Sequence, residues 1–247
     1  MIDNKELSDT FSLLMDRPTL TVLAGRPNSG KTHMALELYA NLLSNRDYSR
    51  PLIFFSMSET QELVKRKIAS VMFGLDPLSI QRKQLEEAEK FRLKTAVDHF
   101  TRQPLIVEDQ PSQTPREILS KLRDYKDTHG EIGLVVIDYF QLLIMPSFDF
   151  NHDNRATESE KNRFLSELKS LMHELNFSVL LLSQVNRFVE QRDNKRPTFT
   201  DLRDHKVIEQ NADVVAILFR EFLYNNNAAE DDIEVDFPIS NPIQTIS

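Results

Sequence analysis

The feature that most constrains the fold is an eight-residue glycine-rich segment that lies between an apolar run and a helical pattern. It reads Gly25-Arg26-Pro27-Asn28-Ser29-Gly30-Lys31-Thr32 and matches the pattern G-x-x-x-x-G-K-[ST] in full. Glycines let backbone N–H groups curl around phosphate oxygens, and the N-terminus of the following helix adds positive potential. The segment therefore predicts a P-loop, a phosphate-binding connection from a buried strand to a helix.

The end of this segment predicts the use of ATP and Mg²⁺. Lys31 is expected to reach the β- and γ-phosphates, and the Thr32 hydroxyl is expected to ligate Mg²⁺. Residues 133–138 read Gly-Leu-Val-Val-Ile-Asp, in which four apolar residues lead into one acid at a strand end, as in a Walker B strand. Asp138 can also be a solvent-facing residue that merely ends the strand. Together with Lys31 and Thr32, a place in the metal shell is the favoured interpretation.

Short apolar runs alternate with helical patterns along the rest of the chain. The runs lack polar alternation, which is typical of parallel strands covered on both faces. The alternation predicts an α/β fold with a doubly wound, mostly parallel sheet, helices on both faces and the ligand at the carboxyl ends of the strands. The predicted strands are Leu20–Ala24, Leu52–Phe55, Leu105–Val107, Leu134–Ile137, Val179–Leu182 and Val214–Phe219.

Three stretches are predicted to be helical. Thr114–Gly130 begins with a capping residue, a proline and a glutamate at the third helical position, and it stops at a glycine. Thr157–Asn176 carries apolar residues at helical spacing. Ser79–Phe100 is charged, which favours a long exposed helix or a helical pair. Pro146–Ala156 and Arg187–Pro197 are predicted to be loops.

Composition bounds the class of protein. The 247 residues fit one α/β domain, and a hydrophobic content of 40% is enough for a core. The absence of cysteine excludes disulfides and cysteine-based metal sites, and the scattered histidines predict no structural zinc. Met1–Thr10 has no apolar signal core, and no apolar run is long enough to span a bilayer. We therefore expect a cytoplasmic protein with no membrane partner.

Charge is spread unevenly along the chain. The net charge of −8 argues against a protein that coats nucleic acid with a general basic surface, but it is compatible with a ring that presents a few basic residues to a central strand. After Lys206 the only basic residue is Arg220, and the remainder is acidic. We expect an N-terminal extension over residues 1–18, an ATPase domain over 19–223 and an acidic tail over 224–247. The tail is expected to be frayed or to form an edge strand.

Three sequence blocks resemble the ATPase domain of replicative DNA helicases of the DnaB family. Residues 137–143 read Ile-Asp-Tyr-Phe-Gln-Leu-Leu, similar to the family's D-Y-L-Q-L. Residues 174–176 and 181–187 are similar to its E-L-N and L-S-Q-L-N-R. Residues 201–213 resemble its D-L-R-E-S-G-x-I-E-Q-D-A-D. The blocks occur in the family's order between residues 26 and 224, and the resemblance implies a RecA-like P-loop NTPase fold.

The resemblance also implies roles for residues outside the P-loop. Gln184 matches the position that senses the γ-phosphate, although a glutamine there can also simply cap a strand end. Arg203, Asp204 and Lys206 match positions that contact the DNA backbone from a loop facing the pore of the ring. As an isolated run, the same three residues would be an ordinary solvated charge cluster. The implied partners are single-stranded DNA and either copies of this chain in a hexameric ring or another helicase in a mixed assembly.

The residue that would polarise the attacking water is displaced in this chain. The family has F-S-L-E after its second strand, whereas residues 55–59 read Phe-Ser-Met-Ser-Glu. Ser58 therefore occupies the matched position, and Glu59 comes one residue late. Glu59 can act as the general base if the strand ends with a bulge, because the base needs hydrogen-bond reach and not a sequence register. In the other interpretation, Ser58 and Glu59 cap a helix that begins at Thr60.

Other family features are missing from the sequence. The family's last strands carry a Lys-x-Arg that reaches the ATP site of the neighbouring subunit, and such a finger is worth several orders of magnitude in rate in other NTPases. No Lys or Arg follows Arg220. Hydrolysis is then slow, uses Arg187 or Arg192 instead, or depends on a partner. No match to the family's N-terminal collar domain precedes Gly25, so primase binding through that domain is not carried over.

Three functions are compatible with these residues. The leading hypothesis is an ATP- and Mg²⁺-dependent motor domain for DNA replication that binds single-stranded DNA and uses Lys31, Glu59, Asp138 and Gln184 in catalysis. The second is a degenerate relative that binds ATP and regulates or loads a helicase. The third is a strand-exchange or clock-like ATPase, which the D-Y-x-Q-L and S-Q-x-N-R blocks fit less well.

Overall fold

The fold is built on one central sheet. The computed structural model describes residues 17–45, 48–74, 85–100, 105–111, 113–143, 158–225 and 233–240. Seven strands lie in the order β3-β2-β4-β5-β1-β6-β7, and all neighbours run parallel except β6 and β7, which are antiparallel. The strands are β1 Leu20–Gly25, β2 Leu52–Ser56, β3 Leu105–Glu108, β4 Leu134–Asp138, β5 Ser178–Gln184, β6 Val214–Phe219 and β7 Glu234–Ser240.

Helices cover both faces of this sheet. They are α1 Lys31–Ser44, α2 Gln61–Phe73, α3 Glu87–Phe100, α4 Pro115–His129, α5 Glu158–Leu175 and α6 His205–Asn211. One core cluster joins the sheet to α4, α5 and α6, and a second joins its other face to α1 and α2. The predicted doubly wound, mostly parallel sheet with helices on both faces is therefore confirmed. In the described ranges, no helix has both the length and the apolar composition that crossing a membrane requires.

The predicted strands and helices agree with the structure. All six strands are present, most of them extended by one residue or two. Helix α4 begins with the predicted capping box at Thr114 and ends at Gly130, which has a φ of 80°. Helix α5 matches the predicted Thr157–Asn176 to within one residue at each end. The predicted helix Ser79–Phe100 corresponds to α3, although residues 75–84 are outside the described ranges. The predicted loop Pro146–Ala156 also lies outside them.

The end of the chain contributes an edge strand. β7 pairs with β6 over residues 234–240, with a register irregularity between Val215 and Ile217. Val235 and Phe237 pack against the second core cluster, whereas the intervening side chains are exposed. This inward and outward alternation is typical of a strand with one buried face. For these seven residues the edge-strand alternative is therefore correct.

A buried tyrosine fixes α1 to the middle of the sheet. The Tyr39 hydroxyl donates to the carbonyl of Ile53 at 2.6 Å and accepts from the N–H of Val136 at 3.1 Å. Tyr39 is fully buried, and its ring meets Phe54 edge to face with centroids 5.7 Å apart. Because α1 starts directly after the glycine-rich segment, this contact holds that segment against the carboxyl ends of the strands.

Candidate nucleotide site and the loop joined to it

The predicted site residues come together at one edge of the sheet. Gly25 at the end of β1 pairs in register with Gln184 at the end of β5. Ser56 at the end of β2 pairs with Asp138 at the end of β4. Because these strands are parallel, their carboxyl ends form a single edge, and residues distant in sequence become neighbours.

The glycine-rich segment has the backbone of a phosphate cradle. Gly30 is the N-cap of α1 with a φ of 99°, and Asn28 has a φ of 64°, so the chain turns sharply before the helix. At Gly25 an added Cβ would lie 2.3 Å from Ser29 Oγ, so a side chain there would displace the loop. Ser29 Oγ is itself buried and has no hydrogen-bond partner among the described residues. The segment thus offers N–H groups and a buried hydroxyl around a small concave space, which fits a phosphate.

Lys31 is held at the base of this cradle. Its Nζ donates to the carbonyl oxygens of Gly25 and Arg26, at 2.9 Å each, and the residue is only 9% exposed. Burial lowers the pKa of Lys31 to about 8, against the opposing effect of the nearby Asp138 carboxylate and with a smaller lowering from Arg26. A multiply charged phosphate beside this ammonium would favour its charged form.

Thr32 and Asp138 form the pair expected at a metal. The Thr32 hydroxyl donates to Asp138 Oδ2 at 2.8 Å, and Asp138 is buried. Burial raises the pKa of Asp138; the Thr32 hydrogen bond opposes that shift, and the nearby Glu59 carboxylate adds to it. One hydroxyl and one carboxylate oxygen are hard donors that Mg²⁺ accepts, since this ion keeps several waters and takes few protein ligands. The Asp138–Tyr139 peptide bond is cis.

Glu59 lies at the same edge, although it is displaced by one residue in sequence. The Ser56 hydroxyl donates to the Glu59 carbonyl at 2.7 Å and accepts from the Glu59 N–H at 3.1 Å, which closes a tight turn after β2. Lys67 forms an ion pair with Glu59 Oε1. Glu59 Oε2 is buried and has no hydrogen-bond partner among the described residues. This carboxylate oxygen is therefore available to accept a hydrogen bond, or a proton, from a water molecule.

Two local predictions around Glu59 are wrong. β2 pairs with β4 in continuous register through Ser56, so a turn and not a bulge brings Glu59 to the site. The N-cap of α2 is Thr60, whose side chain accepts from the Leu63 N–H at 3.4 Å. The capping interpretation of Ser58 and Glu59 therefore fails, because a residue closer to the helix performs that task.

Arg26 connects the glycine-rich segment to the chain that follows β5, a contact that sequence reasoning missed. Its guanidinium donates to Glu190 at 2.8 and 2.5 Å and to the carbonyl of Val185 at 3.1 Å. Arg26 is largely buried in this contact, with 13% of its side chain exposed. The remaining members of the segment, Pro27 and Asn28, are exposed.

Gln184 is joined directly to the loop that carries the predicted DNA contacts. Its carbonyl accepts from the Arg203 N–H at 3.1 Å, and Val185 forms an antiparallel bridge with Leu202. Arg203 and Lys206 are exposed, but Lys206 lies in the first turn of α6 and not, as predicted, in the loop before it. Asp204 instead directs its carboxylate inward, where Lys161 Nζ lies 2.6 Å away. The structure therefore leaves two cations of the predicted cluster on the surface and commits its acid to an internal ion pair.

The candidate substitute arginines differ in their surroundings. Arg192 bonds to Asp201 at 2.8 Å and to the Arg196 carbonyl at 3.2 Å, whereas the Arg187 side chain is exposed. Strand β7, at the end of the described chain, contains neither Lys nor Arg. The Arg196 guanidinium donates to Glu234 of β7 at 2.9 and 2.5 Å. It also lies over the ring of Phe219, the last residue of β6.

Comparison with known proteins agrees with the sequence blocks. The family model described as "DnaB-like helicase C terminal domain" matches residues 6–241. The chain is 32% identical over 224 residues to a probable replicative DNA helicase from Trieres chinensis, in an alignment that covers 91% of this chain and 48% of that protein. It is 33% identical over 214 residues to the replicative DNA helicase DnaB of Haemophilus influenzae, with 85% and 44% covered. The chain thus spans about half the length of the curated relatives it matches.

Solved structures agree with the fold. One, the structure of an ATPase domain, superposes with a TM-score of 0.77 at 26% identity and covers 91% of this chain and 78% of that one. Another, of a DnaB-like replicative helicase and its interactions with primase, superposes with a TM-score of 0.78 at 26% identity, with 92% and 53% covered. The expected RecA-like architecture is confirmed.

Proposed function

The chain belongs to the family of DnaB-like helicase C-terminal domains, and from that premise we propose that it is an ATP-hydrolysing motor domain that acts on DNA during replication. ATP with Mg²⁺ is the proposed substrate, and single-stranded DNA is the proposed partner. We further propose a homo-oligomeric ring, six-fold as the sequence resemblance implies, or a mixed ring with another helicase. The compartment that holds the DNA, which we expect to be the cytoplasm, is the proposed location.

One observation carries the proposal: Lys31, the Thr32–Asp138 pair and the free carboxylate oxygen of Glu59 converge at the sheet edge beside Gly25. A lysine and a glycine-rich backbone bind phosphates, a hydroxyl and an aspartate ligate Mg²⁺, and a carboxylate accepts a proton from water. These are the parts that hydrolysis of a phosphoanhydride requires. None of these groups alone is specific to this reaction, but their combination favours phosphoanhydride hydrolysis over other reactions.

The roles of the residues follow from their chemistry. Lys31 would exchange its bonds to the Gly25 and Arg26 carbonyls for bonds to phosphate oxygens. Thr32 and Asp138 would hold Mg²⁺, which neutralises charge on the β- and γ-phosphates. Glu59 Oε2 would orient the attacking water and accept its proton. Gln184, paired in register with Gly25, would report the presence of the γ-phosphate to the loop bonded to it.

DNA contact is proposed for the exposed cations Arg203 and Lys206. Arg203 donates its N–H to the Gln184 carbonyl, and Lys206 follows in the first turn of α6. Cations in such a segment grip phosphates without reading bases. The inward ion pair of Asp204 favours a supporting role for this residue, which would shape the loop while the main chain around it faces the phosphates.

The test is to measure nucleotide binding and steady-state turnover on the same preparation. We expect ATP binding and turnover that both need Mg²⁺, and we expect Lys31→Ala to abolish turnover. Lys94→Ala, which removes an exposed lysine on α3, is the matched control and should retain both. Binding of ATP without turnover, with and without single-stranded DNA, would contradict the motor and leave the regulator or loader that the sequence also allows.

A further inference from the structure

A single glutamine outside the predicted site joins the nucleotide edge to the loop with the proposed DNA contacts. Gln141 lies in the short turn Phe140–Leu142, three residues after Asp138. Its Oε1 accepts from the Gln184 N–H at 3.1 Å. Its Nε2 donates to Ser183 Oγ at 2.9 Å and to Asp204 Oδ2 at 3.3 Å. One side chain thus touches the last two residues of β5 and the start of the loop.

The orientation of this amide follows from its neighbours. With oxygen and nitrogen exchanged, the Nε2 group would face the N–H of Gln184, and Oε1 would face the carboxylate of Asp204. Both contacts would then be repulsive, because a donor would face a donor and an acceptor an acceptor. Gln141 is therefore held in one orientation, and both ends of the amide are in use.

The loop is held from the other side as well. Arg203 donates its N–H to the Gln184 carbonyl, so Gln184 bonds Gln141 through its N–H and the loop through its C=O. Asp204 has a φ of 63°, an uncommon conformation for a residue with a side chain, and its carboxylate is fixed by Lys161 and Gln141 together. Because α6 begins at the next residue, this anchor sets both the Arg203 peptide and the start of that helix.

The contacts form one continuous connection. A shift of the Gln184 backbone moves the Arg203 peptide through a direct hydrogen bond, and it moves Asp204 through the Gln141 amide. A chain of hydrogen bonds that reaches both sites can carry energetic coupling between them. We infer that Gln141 is a positioning residue that couples the nucleotide state at Gln184 to the conformation of the segment Arg203–Lys206, which joins the loop to the first turn of α6. The inference rests on the proposed function. Within the described part of the chain, the Gln141 side chain bonds to Ser183, Gln184 and Asp204, none of which belongs to the P-loop.

Substitution of Gln141 by glutamate removes its bond to Asp204 and keeps its bond to Gln184. Gln141→Glu keeps an oxygen that can accept from the Gln184 N–H, but it replaces the donor to Asp204 with a second carboxylate. Like charges at hydrogen-bond distance repel, so the link to the loop breaks while the link to β5 is kept. Asp204→Asn introduced with Gln141→Glu supplies an amide donor opposite the new carboxylate and should restore part of the link.

The experiment measures single-stranded DNA affinity with a non-hydrolysable ATP analogue and with ADP, and ATP turnover with and without DNA. In wild type we expect the two nucleotides to change DNA affinity by about tenfold or more, in the usual range of coupling between sites. In Gln141→Glu we expect that ratio to approach one, with ATP-analogue affinity within about twofold of wild type, since the change is local to the coupling element. The double substitution should recover part of the ratio. Gln210→Glu, an exposed glutamine on α6, is the matched control and should keep the wild-type ratio.

Two outcomes would overturn the inference, and they differ from a failure of the proposed function. A wild-type ratio in Gln141→Glu would show that Gln141 does not couple the two sites. A loss of ATP-analogue affinity together with a lowered melting temperature would show that Gln141 supports the fold and does not act as a specific coupling residue. Gln141→Asn, which shortens the side chain without adding charge, gives the same comparison if the glutamate variant does not fold. If wild-type DNA affinity and turnover do not respond to the partner site, the proposed function fails, and the coupling fails with it.

Discussion

Thr32 and Asp138 are 106 residues apart in the chain, yet their side chains share a hydrogen bond of 2.8 Å at the carboxyl edge of the sheet. Thr32 lies in the first turn of α1 and Asp138 ends β4, so the fold itself brings the two proposed Mg²⁺ ligands together. Asp138 is 4% exposed, which leaves one side of the pair shielded from water. Metal affinity at such a preformed pair depends on both donors.

Loss of the Thr32 hydroxyl should reduce the dependence of nucleotide binding on Mg²⁺. Thr32→Val is nearly isosteric but removes the donor, whereas Thr32→Ser keeps it. We expect Thr32→Val to lose most of the gain in ATP affinity that Mg²⁺ gives wild type, by about 10- to 100-fold as for other residues that support a metal site. Titration of ATP with and without Mg²⁺ measures this. Thr32→Ser should keep most of the Mg²⁺-dependent gain. An unchanged gain in Thr32→Val would contradict a role for the hydroxyl at the metal.

Glu59 should be needed for turnover but not for binding. Glu59→Gln removes the basic oxygen and keeps the shape, so we expect turnover to fall by about 10²- to 10⁴-fold, the usual contribution of a general base. ATP affinity should stay near that of wild type. Single-turnover hydrolysis and equilibrium binding separate the two effects.

Glu62→Gln is the control for this measurement. Glu62 is an exposed glutamate in the first turn of α2 that pairs with Arg66, so its loss should leave turnover unchanged. If Glu59→Gln turned over ATP at the wild-type rate, another group would have to activate the water.

The buried Lys31 should make stability depend on alkaline pH. Its pKa is lowered from 10.5 to about 8 in the folded chain, mainly by burial. Between these values the unfolded chain binds more protons than the folded one, so stability conferred by this group rises with pH. The penalty for its charge is fully present below about pH 8 and is relieved toward pH 10.5.

Denaturant unfolding of nucleotide-free wild type and Lys31→Met, measured from pH 7 to 10, checks this. The stability of wild type minus that of the variant should rise above pH 8, with a slope of up to about 1.4 kcal/mol per pH unit. Subtraction cancels the titration of the tyrosines, which are common to both proteins. A difference that stays constant over this range would contradict the lowered pKa.

Arg187 should contribute more to turnover than Arg192. Arg192 is engaged by Asp201, whereas Arg187 is exposed and lies two residues after Val185, whose carbonyl accepts from Arg26. We expect Arg187→Ala to lower turnover by about tenfold or more, since arginine fingers contribute larger factors than this in other NTPases. Arg192→Ala should instead cost below about 1 kcal/mol of stability, as for partly exposed ion pairs.

Mixing of subunits tests whether this arginine acts between copies. If Arg187 reaches the site of a neighbour, a mixture of Lys31→Ala and Arg187→Ala proteins should turn over ATP faster than the sum of the two proteins measured separately. Wild-type turnover in Arg187→Ala would remove this residue as the substitute.

Much of the fold could be predicted because burial dictates composition. Strands covered on both faces, such as β1 and β4, read as unbroken apolar runs, and the capping box at Thr114 marks the start of α4. β7 is harder to predict, since its Asp236 and Pro238 face outward at an edge, while Val235 and Phe237 pack on the core. A short apolar alternation of this kind is also compatible with an irregular tail.

The site could be predicted only where one continuous segment carries it. Lys31 and Thr32 belong to a motif with fixed spacing, whereas the reach of Glu59 depends on a turn that Ser56 closes through its side chain. Gln141 could not be predicted as a bridge, because its partners Ser183 and Asp204 lie 42 and 63 residues away in the chain. Their proximity exists only after β4, β5 and the loop have packed.

The most direct test is the steady-state rate of ATP hydrolysis by the purified chain with Mg²⁺, measured across a titration of single-stranded DNA, beside Lys31→Ala. We predict turnover that DNA increases and that Lys31→Ala abolishes. Turnover that is absent in wild type at every DNA concentration, while ATP still binds, would contradict a motor domain.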